Sequence, residues 1–135
     1  MRELKLRIDW SELDLFGHVN NVAFFKYMQS ARVDFWKQSG IERMHVEKQI
    51  APLLAHAELD FKKPLLYPGD VIIRYGTAFT GKTSFGLKYH LSDKNGAICG
   101  QGQDAMVLWD FKKDKKVELP DDLRKKMNEL AWVKS

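Results

Sequence analysis

The chain has 135 residues, 44% of them hydrophobic and 30% charged, which predicts one folded domain over residues 1–135 and excludes a disordered chain. Its single cysteine, Cys99, excludes an intrachain disulfide and a metal site built from cysteines. The formal net charge of +4 favours an anionic partner of some kind. The sequence has no secretory signal and no run of about 20 apolar residues, so we expect a cytoplasmic protein without a membrane partner.

The first two predicted elements are a strand and a long helix. Alternation of apolar and charged residues predicts the strand at residues 4–10, with Trp10 on its buried face. Residues 22–38 contain no glycine or proline and predict the helix, with Asn20 or Asn21 capping its start and Gly40 ending it. The apolar positions of this helix share one face: Phe24, Met28, Ala31 and Phe35.

The rest of the chain predicts four more strands joined by short turns. They lie at about residues 53–62, 71–79, 84–91 and 97–111, and a short helix begins near Pro120. In the first of these strands we expect Leu53, Leu59 and Phe61 on the buried face. Residues 41–50, which precede this strand, have no clear pattern. One long helix followed by a run of antiparallel strands predicts an α+β fold, with the sheet packed on that helix.

Chemistry-bearing residues are concentrated in the segment DLFGHVNN, which joins the first strand to the long helix. The start of a helix offers unpaired backbone N–H groups and a partial positive charge, which stabilise an oxyanion. A carboxylate in that position, Asp14, can attack an acyl carbonyl or deprotonate the water that attacks it. The residues alone leave open a purely structural role, in which Asp14 and His18 only hold the turn.

The longer segment DLFGHVNNVAFFKYMQSAR, residues 14–32, resembles the opening signature of the 4-hydroxybenzoyl-CoA thioesterase family of hotdog-fold acyl-CoA thioesterases. Residues 64–70 (PLLYPGD) and 82–85 (KTSF) follow in the order that the family shows. The resemblance implies a hotdog fold, in which a five-stranded antiparallel sheet wraps around a long central helix. It also implies a homodimer, or a homotetramer built from dimers, with the active site between subunits.

The resemblance also implies an activity and a set of site residues. The activity is hydrolysis of a small or medium acyl thioester to the free acid and CoA, with Asp14 as nucleophile or general base. The backbone amide near Asn21 polarises the carbonyl, and Gly17 and His18 complete the catalytic loop. The implied substrate-binding residues are Asn20, Lys82, Thr83 and Ser84, with Glu58 as a reserve carboxylate from the partner subunit and Lys62 and Lys63 as weaker candidates for the CoA phosphates.

Two further enzyme or binding classes remain open at this point. A hydratase or dehydratase acting on an acyl thioester would use His18, and a non-catalytic module would bind acyl-CoA or acyl carrier protein without turnover.

Gln29 stands where many relatives carry a helix glutamate, which leaves Asp14 as the expected carboxylate. The histidines lack metal-ligand spacing and no phosphate-binding glycine loop is present, so we expect no metal, no cofactor apart from the CoA of the substrate, and no nucleic-acid partner.

Overall fold

The structure, a computed structural model, describes residues 1–133. Its strands are β1 (Arg2–Arg7), β2 (Ile50–Phe61), β3 (Asp70–Thr80), β4 (Ser84–Ser92), β5 (Ile98–Asp110) and β6 (Lys115–Lys116). Its helices are α1 (Asn21–Ser39), α2 (Ile41–Lys48) and α3 (Asp121–Glu129), with a single 3-10 turn at Trp10–Glu12. None of these helices is both long enough and apolar enough to cross a bilayer.

The strands form one antiparallel sheet in the order β1-β3-β4-β5-β2, with the two-residue β6 paired to β5. The five predicted strands and their antiparallel pairing are therefore confirmed, and β6 is an addition. The longest ladders join β2 to β5 and β3 to β4. One side of the sheet packs on α1, so that the helix and the strands share a single buried cluster.

Helix α1 is one residue longer at each end than the predicted 22–38, and it buries the predicted face. The predicted stripe is buried, with Phe24 3% exposed and Met28, Ala31 and Phe35 fully covered. The helix ends at Gly40, whose φ of 86° is the left-handed conformation that glycine adopts without strain. Gly102 on β5 lets the helix lie close to the sheet, because a Cβ at that position would come within 2.9 Å of the Met28 sulfur.

Strand β2 lies at one end of the sheet and is far less buried than its alternation predicts. Leu53 is 41% exposed and Phe61 is 50% exposed, so the prediction of a buried face is wrong for these two residues in the single chain. Leu59, between them, is half-buried against the helix side. The physical reason is position, because β2 pairs with β5 along one edge only and its other edge has no neighbouring strand within residues 1–133.

One local prediction is also wrong, and one helix lies where no element was predicted. The first strand ends at Arg7, and Trp10 begins the 3-10 turn with 72% of its surface exposed, because Asp9 and Glu12 form a capping box there. Residues 41–48, which showed no pattern, form α2. This helix is short and only Ile41 is buried in it, so it has no apolar stripe from which a helix could be recognised.

Candidate active site

The loop before α1 folds into a tight turn that Asp14 holds together. Its carboxylate oxygen Oδ1 accepts hydrogen bonds from the backbone N–H groups of Phe16, at 2.8 Å, and His18, at 3.1 Å. The Asp14 N–H donates to the His18 carbonyl at 2.7 Å, and the Gly17 N–H donates to the Asp14 carbonyl at 3.2 Å. Gly17 has a φ of 81°, so the turn requires glycine for its backbone conformation.

The second carboxylate oxygen of Asp14 is left free by this arrangement. Asp14 is exposed, and its Oδ2 accepts no hydrogen bond from the residues that the structure describes. Because Oδ1 already holds two backbone donors, the carboxylate is fixed in orientation while Oδ2 stays accessible. A carboxylate with one anchored and one free oxygen is suited to act as a nucleophile or a general base.

The N-terminus of α1 supplies free backbone N–H groups beside this turn. Asn20 is the N-cap, and its Oδ1 accepts from the Ala23 N–H at 2.8 Å, which is the capping role predicted for Asn20 or Asn21. Asn21 is the first helical residue, and within residues 1–133 neither its N–H nor that of Val22 donates a hydrogen bond. These N–H groups carry the partial positive charge of the helix start.

Asp14, His18 and Asn21 line a common cleft of about 330 Å³, here termed the Asp14 cleft. Its other walls are Val19 and Phe24 on one side and residues 61–64 on the other. The rings of Phe24 and Phe61 meet edge to face at 5.1 Å and form an apolar floor. The exposed residues Lys62 and Lys63 form the positively charged rim.

A buried carboxylate, Glu12, anchors the loop to α1 and was not among the predicted site residues. Glu12 is 7% exposed, and it accepts from the Asp9 N–H and the Tyr27 hydroxyl at 2.8 Å and from the Lys26 ammonium at 2.9 Å. Burial would raise the pKa of this carboxyl, but the three hydrogen bonds lower the pKa below its ordinary 4.5. Burial and the bond to Glu12 raise the pKa of Tyr27.

The sequence carried a signal for this anchor in the D-x-x-E spacing of Asp9 and Glu12, which is typical of a capping box. The Glu12 carbonyl also accepts from the Asn20 N–H at 2.9 Å. Glu12 therefore ties the beginning of the loop before α1 to its end, and through Tyr27 it ties the loop to the second turn of the helix.

A second buried group, formed by Arg32, Tyr89 and Asp104, joins the middle of α1 to the sheet. Arg32 donates to the Asp104 carboxylate at 2.8 Å, and the Tyr89 hydroxyl and the Leu87 N–H donate to the same carboxylate. Burial by itself would lower the pKa of Arg32, but Tyr89 and Asp104 raise it overall. The pKa of Tyr89 is raised, mainly by burial and to a smaller extent by the negative charge of Asp104. The arginine of the 14–32 signature therefore stabilises the fold in this chain.

Other predicted residues lie away from the Asp14 cleft in the single chain. The hairpin between β3 and β4 contains Lys82, Thr83 and Ser84, and it lies beside the end of β5, where Ser84 pairs with Val107. The Asp14 cleft lies beside the beginning of β5, where Gly100 pairs with Phe61. Glu58 is exposed and lies 3.5 Å from His56. Because successive side chains of a strand point to opposite faces, Glu58 projects from the face of β2 that is opposite to Leu59 and Phe61. Any role of these residues in binding substrate stays a prediction.

No group of three or more His, Cys, Asp or Glu side chains in residues 1–133 is arranged to hold a metal ion. Cys99 is buried, and burial raises the pKa of its thiol. Its carbonyl accepts from the N–H groups of Lys62 and Lys63, at 2.8 and 3.2 Å, so its backbone holds the charged rim of the cleft in place.

Comparison with known proteins identifies the family to which this fold and loop belong. The family model described as the thioesterase-like superfamily matches residues 8–127, which is nearly the whole chain. The chain belongs to the thioesterase-like superfamily. The resemblance noted in residues 14–32 is confirmed, and so is the enzyme class, a thioester hydrolase.

Individual relatives agree with this assignment. The uncharacterized protein YsmA of Bacillus subtilis is 28% identical over 118 residues, covering 87% of this chain and 79% of that protein. The long-chain acyl-CoA thioesterase FadM of Escherichia coli is 19% identical over 130 residues, covering 96% and 98%. The structure of a predicted thioesterase from Bacillus stearothermophilus superposes with a TM-score of 0.87 at 23% identity, covers 98% of both chains and confirms the hotdog fold.

Proposed function

We propose that this thioesterase hydrolyses small or medium acyl-CoA esters to the free acid and CoA in the Asp14 cleft. The observation that carries the proposal is that Asp14 and Asn21 line the same cleft, and that within residues 1–133 one carboxylate oxygen of Asp14 and the helix N–H of Asn21 have no hydrogen-bond partner. The relative FadM, an acyl-CoA thioesterase that spans almost this whole chain, supports the CoA ester as substrate.

The reaction needs a nucleophile on one side of the thioester carbon and a donor to its oxygen. In one route the Asp14 Oδ2 attacks the carbon, the C–S bond breaks to release CoA thiolate, and water hydrolyses the resulting mixed anhydride. In the other route Asp14 takes a proton from water, the hydroxide attacks the carbon, and the C–S bond breaks to release the free acid and CoA thiolate. Both routes place negative charge on the carbonyl oxygen, which the Asn21 N–H stabilises.

The CoA phosphates are assigned in this proposal to Lys62 and Lys63 at the rim of the Asp14 cleft. Both lysines are exposed, and Lys63 has only a 4.0 Å contact with Asp93, so their charge is available to a phosphate. The predicted hairpin Lys82–Ser84 lies at the far end of the sheet in its own chain, so it would contribute to binding only from a second subunit.

The free edge of β2 supports a homodimer. It is 12 residues long, has no neighbouring strand within residues 1–133, and exposes Leu54 by 50% and Phe61 by 50%. A long, apolar, unpaired edge readily pairs with another strand. We therefore propose that two copies join through β2.

A thiol-release assay over aliphatic and aromatic acyl-CoAs tests the reaction. We expect release of free CoA from saturated esters by the wild type and a fall in kcat of about 10²–10⁴-fold in Asp14→Asn, the usual cost of losing a positioned base. The asparagine keeps the acceptor for Phe16 and His18, so the melting temperature is the control for folding.

The alternatives give different results in the same assay. A dehydratase that uses His18 changes an unsaturated or hydroxylated acyl group and releases no thiol. A binding module retains acyl-CoA in calorimetry but turns over none of the esters. Near-normal hydrolysis by Asp14→Asn would refute the assigned carboxylate while leaving the thioesterase class intact.

A further inference from the structure

A cavity of about 370 Å³ lies beside the loop that links β2 to β3, and no step of the proposed reaction uses it. We term it the Trp10 pocket. It is lined by two short segments, residues 7–10 at the end of β1 and residues 67–70 at the beginning of β3. Its volume lies in the range of ligand sites, which is roughly 300–1,000 Å³.

The Trp10 pocket combines a buried floor with two exposed aromatic side chains. Ile8 is 2% exposed, and its N–H donates to the Gly69 carbonyl at 3.0 Å, which joins the two lining segments. Trp10 is 72% exposed and Tyr67 is 43% exposed. Within residues 1–133 neither ring lies against another aromatic ring. Both rings therefore offer a flat face on which a planar ligand can stack.

The carboxylates on the wall of the Trp10 pocket favour an uncharged base over a phosphate in its interior. Asp9 and Asp70 both line the pocket, and Asp70 lies 3.5 Å from Lys5. The Asp9 Oδ2 accepts from the Ser11 N–H at 2.9 Å, whereas within residues 1–133 its Oδ1 accepts no hydrogen bond. A free carboxylate oxygen repels a phosphate, but it accepts a hydrogen bond from an amino group such as that of adenine.

Arg7 is the cation among the residues that line the Trp10 pocket. It is exposed, and within residues 1–133 it forms no ion pair. The N–H groups of a free guanidinium match the oxygens of a phosphate. The pocket therefore offers stacking faces, an acceptor for an amino group and a donor for a phosphate, which together fit a nucleoside phosphate.

The Trp10 pocket lies close to the Asp14 cleft along the chain. Pro64 lines the cleft and Tyr67 lines the pocket, and three positions of extended chain span at most about 10 Å. The segment between them is held in place, because Leu65 is fully buried and its carbonyl accepts from the Val19 N–H at 3.1 Å. The separation of the two sites is thus fixed by the fold.

A CoA ester has the dimensions to occupy both sites at once. Its diphosphate is assigned above to Lys62 and Lys63, which directly precede the segment that separates the two cavities. In CoA a single ribose joins the diphosphate to adenine, and the same ribose carries the 3′-phosphate. Ribose and adenine together span a length comparable to the separation of Pro64 and Tyr67, so the base reaches the neighbouring pocket.

We propose that the Trp10 pocket binds the nucleotide end of the CoA ester. Adenine stacks against Trp10 and Tyr67, its amino group donates to Asp9, and the 3′-phosphate is bound by Arg7. This inference rests on the proposed function and assigns the same substrate its nucleotide site. It also selects the carrier, because a thioester of acyl carrier protein has the pantetheine arm without adenine and gains nothing from this pocket.

Two esters that differ only in the nucleotide test the proposal. Hexanoyl-CoA and hexanoyl-pantetheine present the same thioester, and Trp10→Leu keeps an apolar side chain while it removes the flat ring. We expect Trp10→Leu to lower kcat/KM for hexanoyl-CoA about tenfold, through KM, since a base loses its stacking partner. The value for hexanoyl-pantetheine should change by less than about twofold.

Phe111→Leu is the matched control, because Phe111 is 49% exposed and lies outside both cavities. It should change neither ester. Tyr67→Leu repeats the measurement if the melting temperature shows that Trp10→Leu does not fold. An unchanged kcat/KM for hexanoyl-CoA, or an equal loss on both esters, overturns the proposal.

Removal of the 3′-phosphate tests the role of Arg7. Arg7→Gln is expected to raise KM for hexanoyl-CoA about fivefold and to leave KM for hexanoyl-dephospho-CoA within about twofold, because the second ester lacks the group that Arg7 binds. An equal rise for both esters would show that Arg7 does not bind the 3′-phosphate and would overturn the proposal.

Adenosine 3′,5′-bisphosphate, a nucleotide fragment of CoA, distinguishes a substrate site from a separate nucleotide site. We expect it to inhibit hydrolysis of hexanoyl-CoA competitively, with a tenfold weaker effect, roughly, on Trp10→Leu. Non-competitive inhibition would assign the pocket to a free nucleotide and overturn the proposal. Equal inhibition of wild type and Trp10→Leu would place the nucleotide elsewhere and overturn it as well.

The proposed function and this inference fail in distinguishable ways. If wild-type protein releases no thiol from either ester, the function is wrong and the inference falls with it. If wild type hydrolyses both esters, and Trp10→Leu and Tyr67→Leu both fold and keep a normal kcat/KM for hexanoyl-CoA, the function stands and only the inference is overturned.

Discussion

Glu12 and Asp14 are two residues apart and carry the same functional group, yet their surroundings are opposite. Glu12 is buried, and both of its carboxylate oxygens accept hydrogen bonds from other parts of the molecule. Asp14 is exposed, and only one of its oxygens is bonded, to N–H groups within its own turn. The satisfied carboxylate holds the loop in place, and the half-satisfied carboxylate is free to react.

The contrast separates carboxylates that stabilise the fold from the carboxylate that is proposed to react with substrate. Asp104 belongs with Glu12, since it is 1% exposed and has three donors. Substitutions in this first group are expected to change the free energy of unfolding and to leave the turnover of folded protein nearly intact. The substitution Asp14→Asn, which keeps the acceptor for the turn, is expected to do the reverse.

The largest effect on stability is expected at Asp104. Asp104→Asn removes the charge that compensates Arg32, whose side chain is 11% exposed, and breaking a buried ion pair from one side costs about 3–5 kcal/mol. Urea unfolding measures this loss. Arg32→Met combined with Asp104→Asn should cost less than the two single changes added together, and strict additivity would contradict the coupling.

A smaller effect with a defined pH dependence is expected at Glu12. Glu12→Gln should lower stability at pH 7 by about 2 kcal/mol, since hydrogen bonds to a charged group are lost. The pKa of Glu12 is lowered in the folded state, so its contribution is complete above its ordinary pKa of 4.5 and is lost as pH falls through the lower folded value. In thermal unfolding at a series of pH values, the difference in stability between wild type and Glu12→Gln should therefore be constant above pH 4.5 and shrink as the pH is lowered below it.

Charge at the rim of the Asp14 cleft should act on binding alone. Lys62→Gln combined with Lys63→Gln is expected to raise KM for acyl-CoA about tenfold, equivalent to about 1.4 kcal/mol, with kcat unchanged. The effect should shrink as salt is added, because both lysines are exposed. Lys125→Gln, on the exposed side of α3, is the matched control, and an equal rise in KM there would argue for a diffuse charge effect.

The smallest effect tests the structural half of the role of Asp14. Asp14→Ala removes the acceptor for the N–H groups of Phe16 and His18, whereas Asp14→Asn keeps it. We expect Asp14→Ala to be less stable than Asp14→Asn by about 1 kcal/mol, with both equally inactive. Equal melting temperatures would contradict the hydrogen bonds that hold the turn.

Local patterns in the sequence were sufficient for α1 and for the turn that contains the catalytic candidate. The apolar spacing from Phe24 to Phe35, the cap at Asn20 and the stop at Gly40 each depend on residues within a few positions, so they can be predicted without the fold. The DLFGHVNN segment is equally local, since Asp14 holds its own turn. These predictions agree with the structure.

Only the tertiary structure decided what these elements face. Phe61 alternates like a core residue but lies on an edge strand, and Lys62 reaches the Asp14 cleft while Lys82 lies at the other end of the sheet. The ion pair between Arg32 and Asp104, which are 72 positions apart, is likewise visible only in the folded chain. Strand order and helix placement arise from pairings between distant segments, and no local spacing carries that information.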